Sequence, residues 1–167
     1  TKFMLDVLNN ELSRELRKKL EFYKKEYGYS VFGEVFVTNK YGVNVGQTGI
    51  TSDYYQADED WWQNAVEYGV SIRDVEYDDS AGVFSTDAGI RIDDANGNFI
   101  GVIKVVLNIE GTIGIITKSK ALIKYGKPEF ILIDSKGKVV HATKYYEFLE
   151  ELSSQELLAK IRSIGSS

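Results

Sequence analysis

Cysteine is absent from the 167 residues and histidine occurs once, so disulfides, thiolate metal sites and most imidazole chemistry are excluded at the outset. The lack of cysteine leaves the cellular compartment open. With His141 as the single imidazole, on a strand just after Val140, a Ser-His-Asp arrangement lacks parts, and strand or surface filling is the expected role. No glycine loop for phosphate and no nucleophile elbow is present, and no cofactor is expected. No apolar run approaches the roughly 20 residues that span a bilayer, and no signal peptide opens the sequence. Basic residues are not in excess: 20 Lys and Arg face 25 Asp and Glu, a net charge of −5 spread along the chain, which argues against nucleic acid as a partner.

What is present is ordinary for a globular protein. Hydrophobic residues make up 43%, aromatic residues 13% and charged residues 27%, enough for one domain with a real core and a small appendage. Leu5, Leu8, Leu12, Leu16, Leu20 and Tyr23 recur at spacings of three and four, which predicts a long amphipathic helix ending near Gly28. Such a helix suits a stalk that pairs with a partner's helix, or it packs on its own sheet.

From Val31 the pattern turns to strand. Residues 31–39 and 43–49 read as a hairpin cornered at Lys40-Tyr41-Gly42. Asp58, Glu59 and Asp60 precede Trp61 and Trp62 at the start of a short helix that Gly69 stops. Three further strands follow: residues 71–78, 83–93 and 99–110, joined by turns at Asp79-Ser80-Ala81-Gly82 and Asp94-Ala95-Asn96-Gly97. Short connections require antiparallel pairing, so the expected fold is α+β: a five-stranded antiparallel sheet of PAS-like order with a helix inserted after the second strand. Ile103, Val105, Leu107 and Ile109 share an apolar face that packs, opposite the mixed face of Val102, Lys104, Val106 and Asn108. The mixed face, beneath the inserted helix, is a natural place for a small-molecule cavity. After Glu110 a helical stretch, a hairpin over residues 129–144 and a second amphipathic stretch predict a small, incomplete second α/β lobe. An abrupt start inside a helical pattern and a Gly-Ser-Ser end are what an excised segment shows.

The stretch from Val35 to Glu110, with FVTNKYGVNVGQTGITSDYYQADEDWWQNA, VEYDDSAG and IRIDDANGNFIGVIKVVLNIE, resembles Cache domains, the PAS-like extracytoplasmic sensors of histidine kinases and chemoreceptors, particularly the double-Cache type. About half of the chain carries the resemblance. It implies a stalk helix at 1–28, a sensor domain at 29–118 and a membrane-proximal lobe at 119–167. Amino-acid-binding members carry a Tyr, an Arg and a Trp-Tyr pair around the inserted helix, a later Tyr, and an Asp on the last strand. Here Tyr54, Trp61 and Tyr77 match, whereas Glu59 stands for the Arg, Trp62 for the Tyr and Val106 for the Asp. The fork that grips a ligand carboxylate and the acceptor for its ammonium group are both missing, so a standard amino acid is not the expected ligand.

The candidate ligand-binding residues are therefore Tyr54, Glu59, Trp61, Trp62, Tyr77, Ser85, Asp87 and Val106, with core packing the competing role for each aromatic. Asp87, on the mixed face, could with Glu59 receive a cationic ligand; solvation or pairing with Arg73 or Arg91 is the alternative. Residues 94–98 look like the opening of a calcium loop but lack the glycine at the sixth place and the glutamate at the twelfth, so they read as a turn. Asp58, Glu59 and Asp60 with Asp78 and Asp79 read more simply as helix-start and turn residues than as a cation site.

The expectation is a non-enzymatic, small-molecule-sensing domain on the extracytoplasmic side of a membrane receptor such as a histidine kinase. It would be homodimeric through its N-terminal helices and reach the membrane only through flanking segments. The alternative is a ligand-free structural or protein-interaction domain of such a receptor, its cavity filled by its own side chains.

Overall fold

The computed structural model describes residues 2–78 and 83–109, the positions 111, 113 and 114, residues 131–134 and 136–142, and Gln155 and Ala159. The chain forms two compact units, Thr1–Gly111 and Thr112–Ser167.

The first unit opens with two helices instead of the single long helix that the periodicity predicts: α1 (Lys2–Asn9) and α2 (Glu11–Tyr27). The break is at Asn10, which leaves the helical region (ψ 174°) and accepts the Ser13 N–H on its side chain, capping α2. Gly28 ends α2 with φ 79° and donates its N–H to the Lys24 carbonyl, the left-handed finish that only glycine adopts without strain.

The sheet comprises β1 (Phe32–Asn39), β2 (Asn44–Gln47), β3 (Val70–Ile72), β4 (Glu76–Asp78), β5 (Val83–Asp93) and β6 (Phe99–Asn108), in the order β2-β1-β6-β5-β3, with β4 also on β5. Each pair is antiparallel. The sheet is thus five strands wide, as its turns predict, but the third predicted strand is in two pieces. Ile72 lies opposite Ala88 and Glu76 opposite Ser85, so one extra residue must leave the ladder between β3 and β4. The turn at residues 79–82 lies outside the described residues. Asn39 and Gly42 form the first hairpin corner, with Asn39 Oδ1 accepting from Tyr41 and Val43 N–H. Asp94 does the same in the next corner for Asn96 and Asn98, so that segment is a turn.

α3 (Asp60–Tyr68) crosses one face of the sheet, and α1 and α2 pack at the β1–β2 edge. Positions 61, 62 and 65 lie on one side of α3, so Trp61, Trp62 and Ala65 are all buried, joining Phe36 and Val102 in the core. Indoles of this size remove roughly 200 Å² each from water, a gross gain of about 5 kcal/mol apiece and an upper bound. The deepest core therefore lies on the mixed face of β6, where Val102 is fully buried. The face expected to pack is covered only in part: Leu12 of α2 lies over Gly46, whereas Ile90, on that same face, is 45% exposed, and Val70 and Ile72 on the edge strand are exposed too.

The second unit contains the predicted hairpin, β7 (Ile131–Ile133) paired with β8 (Val139–Ala142) and cornered at Gly137. The helical stretches predicted on either side, and with them the completeness of that lobe, lie outside the described residues.

Candidate ligand-binding cavity

The cross-strand register fixes the floor beneath α3. Gln47, Phe36, Lys104 and Gly89 form one row across β2, β1, β6 and β5, and Glu34, Val106 and Asp87 form part of the next. Gly89 leaves room for the Trp61 ring to lie on the sheet: a Cβ there would be 2.8 Å from the ring. Phe36 meets Trp61 edge-on, with ring centres 5.8 Å apart. Trp62 turns toward β1 and donates its indole N–H to Thr38 Oγ1 at 2.8 Å, with its ring edge-on to Phe99.

Beyond Trp61, at the start of α3, is a cavity of about 380 Å³ lined by Asp58, Glu59, Asp60, Trp61, Asn64, Ser71, Ile72 and Arg73. Three carboxylates and one guanidinium, all of them on exposed residues, line this open cleft, whose volume is in the range of small-ligand sites. Among the described residues no three carboxylate or imidazole side chains are grouped as metal ligands.

Of the residues singled out from sequence, Glu59 and Trp61 meet in this cavity. Tyr54 packs against Phe3 of α1, ring centres 5.1 Å apart, and its hydroxyl has no hydrogen-bond partner among the described residues. Burial raises the Tyr54 pKa above the usual phenol value. Trp62 belongs to the core. Tyr77 lies on β4, and its side chain is outside the described residues. Ser85 is buried opposite Asn108 at the end of the sheet. Val106 is directly across from Asp87.

The half-buried Asp87 side chain is paired with a lysine and not with either arginine. Its Oδ2 is 2.9 Å from Lys104 Nζ, and the side chains are only 21% and 15% exposed. Arg91 is turned the other way, onto Asp93, the Val66 carbonyl and the Phe99 ring. The Lys104 ammonium also lies 5.0 Å from the Trp61 ring centre and 5.8 Å from that of Phe36. Sequence reasoning missed Lys104, Asn64 and Ser71. Strand alternation puts Lys104 on the correct face but not beside Asp87.

No protein-family model matches the chain, and no curated protein matches it. Solved structures do. The extracellular domain of a candidate histidine kinase superposes with a TM-score of 0.57 at 14% identity, over 93% of this chain and 64% of that one. An extracellular ligand-binding receptor from Desulfohalobium retbaense gives 0.57 at 16%, over 90% and 27%. The sensory domain of a Campylobacter jejuni chemoreceptor with isoleucine bound gives 0.54 at 17%, over 92% and 57%. The chain spans less than two thirds of the length of each of these structures. The fold of this chain is that of the extracellular sensor domains of histidine kinases and chemoreceptors, the fold that its resemblance to Cache domains implies.

Proposed function

We propose that the chain is the extracytoplasmic ligand-sensing part of a membrane signalling receptor, such as a histidine kinase, and that its ligand occupies the cavity at the start of α3. The observation that carries this is the 380 Å³ cavity walled by Trp61 and lined by Asp58, Glu59, Asp60 and Arg73, on a fold shared with sensor domains. The charges select a small molecule bearing an amine or other cation, with an acceptor group for Arg73. Occupancy acts by binding one position of α3 on the sheet more tightly than another, which is the only energy a ligand can supply. The apolar residues that α1 and α2 leave exposed, including Phe3, Leu5, Phe22 and Tyr27, support homodimerisation through these helices.

A thermal-shift screen of amines and zwitterionic metabolites, followed by titration calorimetry, tests the reading. A ligand should emerge whose affinity falls at least about tenfold in Glu59→Gln, as expected for a charged hydrogen bond. Unchanged affinity in both Glu59→Gln and Arg73→Gln would move the ligand out of this cavity. The second reading, a structural domain that takes no ligand, is favoured by the way Lys104, Trp61 and Phe36 fill the centre of the floor. It predicts that no metabolite shifts the melting temperature.

A further inference from the structure

The sheet side of Trp61 holds a second arrangement, distinct from the cavity because Asp87, Lys104 and Phe36 are not among the residues lining it. Asp87 presents a carboxylate oxygen 2.9 Å from an ammonium nitrogen, and the Trp61 and Phe36 rings stand 5.0 and 5.8 Å from that nitrogen. A carboxylate with two aromatic rings around a primary ammonium is the chemistry of an amine receptor: a hydrogen-bonded charge on one side and ring quadrupoles on the others. The occupant is a residue of the chain itself. Its stem rises from β6 between Phe36 on β1 and Gly89 on β5, where the missing Cβ brings Trp61 down onto the floor.

We propose that Asp87, Trp61 and Phe36 form a primary-ammonium site whose resident is Lys104, so that the domain carries this site permanently filled. Shortening Lys104 would convert it into a receptor for free primary alkylammonium ions. The cage selects for N–H donors as well as charge. A quaternary ammonium could still face the rings but has nothing to donate to Asp87, and a neutral alcohol of the same length would fill the space without answering the carboxylate.

Lys104→Ala removes a propylammonium fragment, so the probe is n-propylammonium chloride. Melting temperatures of the full chain are measured with this salt, with 1-propanol and with tetramethylammonium chloride, at constant ionic strength. Propylammonium should stabilise Lys104→Ala saturably, by about 3 °C or more at ten times its Kd, with half-saturation in the millimolar range for so few heavy atoms. The shift should be larger in Lys104→Ala than in the native chain, should fall back to the native level in Lys104→Ala/Asp87→Asn, and should be weak with the other two probes. An equal shift from 1-propanol, or the same shift in the native chain, would overturn the proposal. Should the variant not fold, the native chain is still decisive by NMR: the Lys104 ε-methylene protons should be displaced upfield by the rings, and an ordinary lysine shift would refute the cage. Because the carboxylate-lined cavity is itself proposed to take amines, the evidence for the cage is the shift that Lys104→Ala gains over the native chain and that Lys104→Ala/Asp87→Asn loses again; Asp87 and Lys104 do not line that cavity, so this difference and the sensing function fail separately.

Discussion

Gly89 is where the seating of α3 can be tested with a single methyl group. An added Cβ would stand 2.8 and 3.3 Å from two Trp61 ring atoms and 3.4 Å from Ala65 Cβ, whereas carbon pairs settle near 3.5 Å. The indole would have to lift by about 0.7 Å, and it cannot slide freely because it meets Phe36 on one side and the Lys104 ammonium on another. Overpacking of this kind costs about 1–3 kcal/mol, offset by up to about 1 kcal/mol from the lower entropy of alanine in the unfolded chain. A net loss of about 1–2 kcal/mol lowers the melting temperature by roughly 2–6 °C for a chain of this size. Gly49→Ala is the control: nothing lies within 4 Å of its added Cβ, and its φ is not positive, so it should raise stability by about 0.4–1 kcal/mol. Calorimetry would report the two shifts, and near-ultraviolet circular dichroism would follow the indoles. If Gly89→Ala melts at or above Gly49→Ala, Trp61 does not rest on the sheet as described.

The remaining predictions concern polar groups in and around this core. Thr38→Val should cost about 1–3 kcal/mol, because it leaves the buried Trp62 N–H without the Oγ1 acceptor it reaches at 2.8 Å; combining it with Trp62→Phe should cost less than the two single changes added together, as a double-mutant cycle would show. Tyr54→Phe should be neutral or stabilising by up to about 1 kcal/mol, since the hydroxyl it removes has no partner among the described residues. Because burial raises the Tyr54 pKa above its unfolded value of 10.0, the native chain loses stability as pH rises through 10 toward the folded value; Tyr54→Phe should flatten that alkaline limb in denaturant titrations. Asp94 is displaced in the opposite sense: hydrogen bonds from Asn98 and Asn96 hold its pKa below 3.8, so its contribution is present above that pH and fades as pH falls through the folded value. Asp94→Asn should therefore make the acid limb shallower, and an unchanged limb would remove the turn from the account.

The succession of strands along the chain and the antiparallel pairing of neighbours were legible because they rest on local signals: turn residues at Gly42 and Gly97, alternation in β5 and β6, and a helix stop at Gly69; the central pairing of β1 with β6 is long-range and no turn states it. The roof of tryptophans on the mixed face followed from the same alternation. What escaped depended on longer-range facts. The pairing of Lys104 with Asp87 needs the register that sets Gly89 against Lys104 and Asp87 against Val106, and a sequence does not state register between strands joined by a five-residue turn as plainly as it states their faces. Pairing with Arg73 or Arg91 was the alternative considered for Asp87, yet Arg91 lies beside Val102 and turns onto Asp93. The cavity lies partly on Ser71, Ile72 and Arg73, where β3 gives way to the extra residue before β4. An uninterrupted strand was the simpler reading of those residues. The helix break at Asn10 was missed because a continuous apolar stripe reads as one helix, whereas the structure ends α1 at Asn9 and caps α2 with Asn10.

The choice between a free stalk and a helix bound to its own sheet is settled for one face of α1 and α2 by where their polar side chains go. β2 is an edge strand, and edge strands invite pairing with other chains unless their free backbone groups are answered. Here Asn10 donates to the Val45 carbonyl at 2.7 Å, Ser13 Oγ accepts the Gln47 N–H at 2.8 Å while donating to the Val7 carbonyl, and Arg17 reaches the Gln47 carbonyl at 3.3 Å. Ser13 is fully buried in this bridge, which no solvent-facing stalk position would require. The residue that breaks the helix is also one that binds the sheet: Asn10 caps α2 with its oxygen and holds β2 with its nitrogen. The helices are thus fixed to the edge through hydrogen bonds to backbone, while their aromatic residues on other faces, Phe22 and Tyr27 among them, remain exposed. In the homodimer proposed above, two sheets would be joined through helices anchored to β2, and the hydrogen-bonded strands β6, β1 and β2 would connect the sheet beneath α3 to that interface.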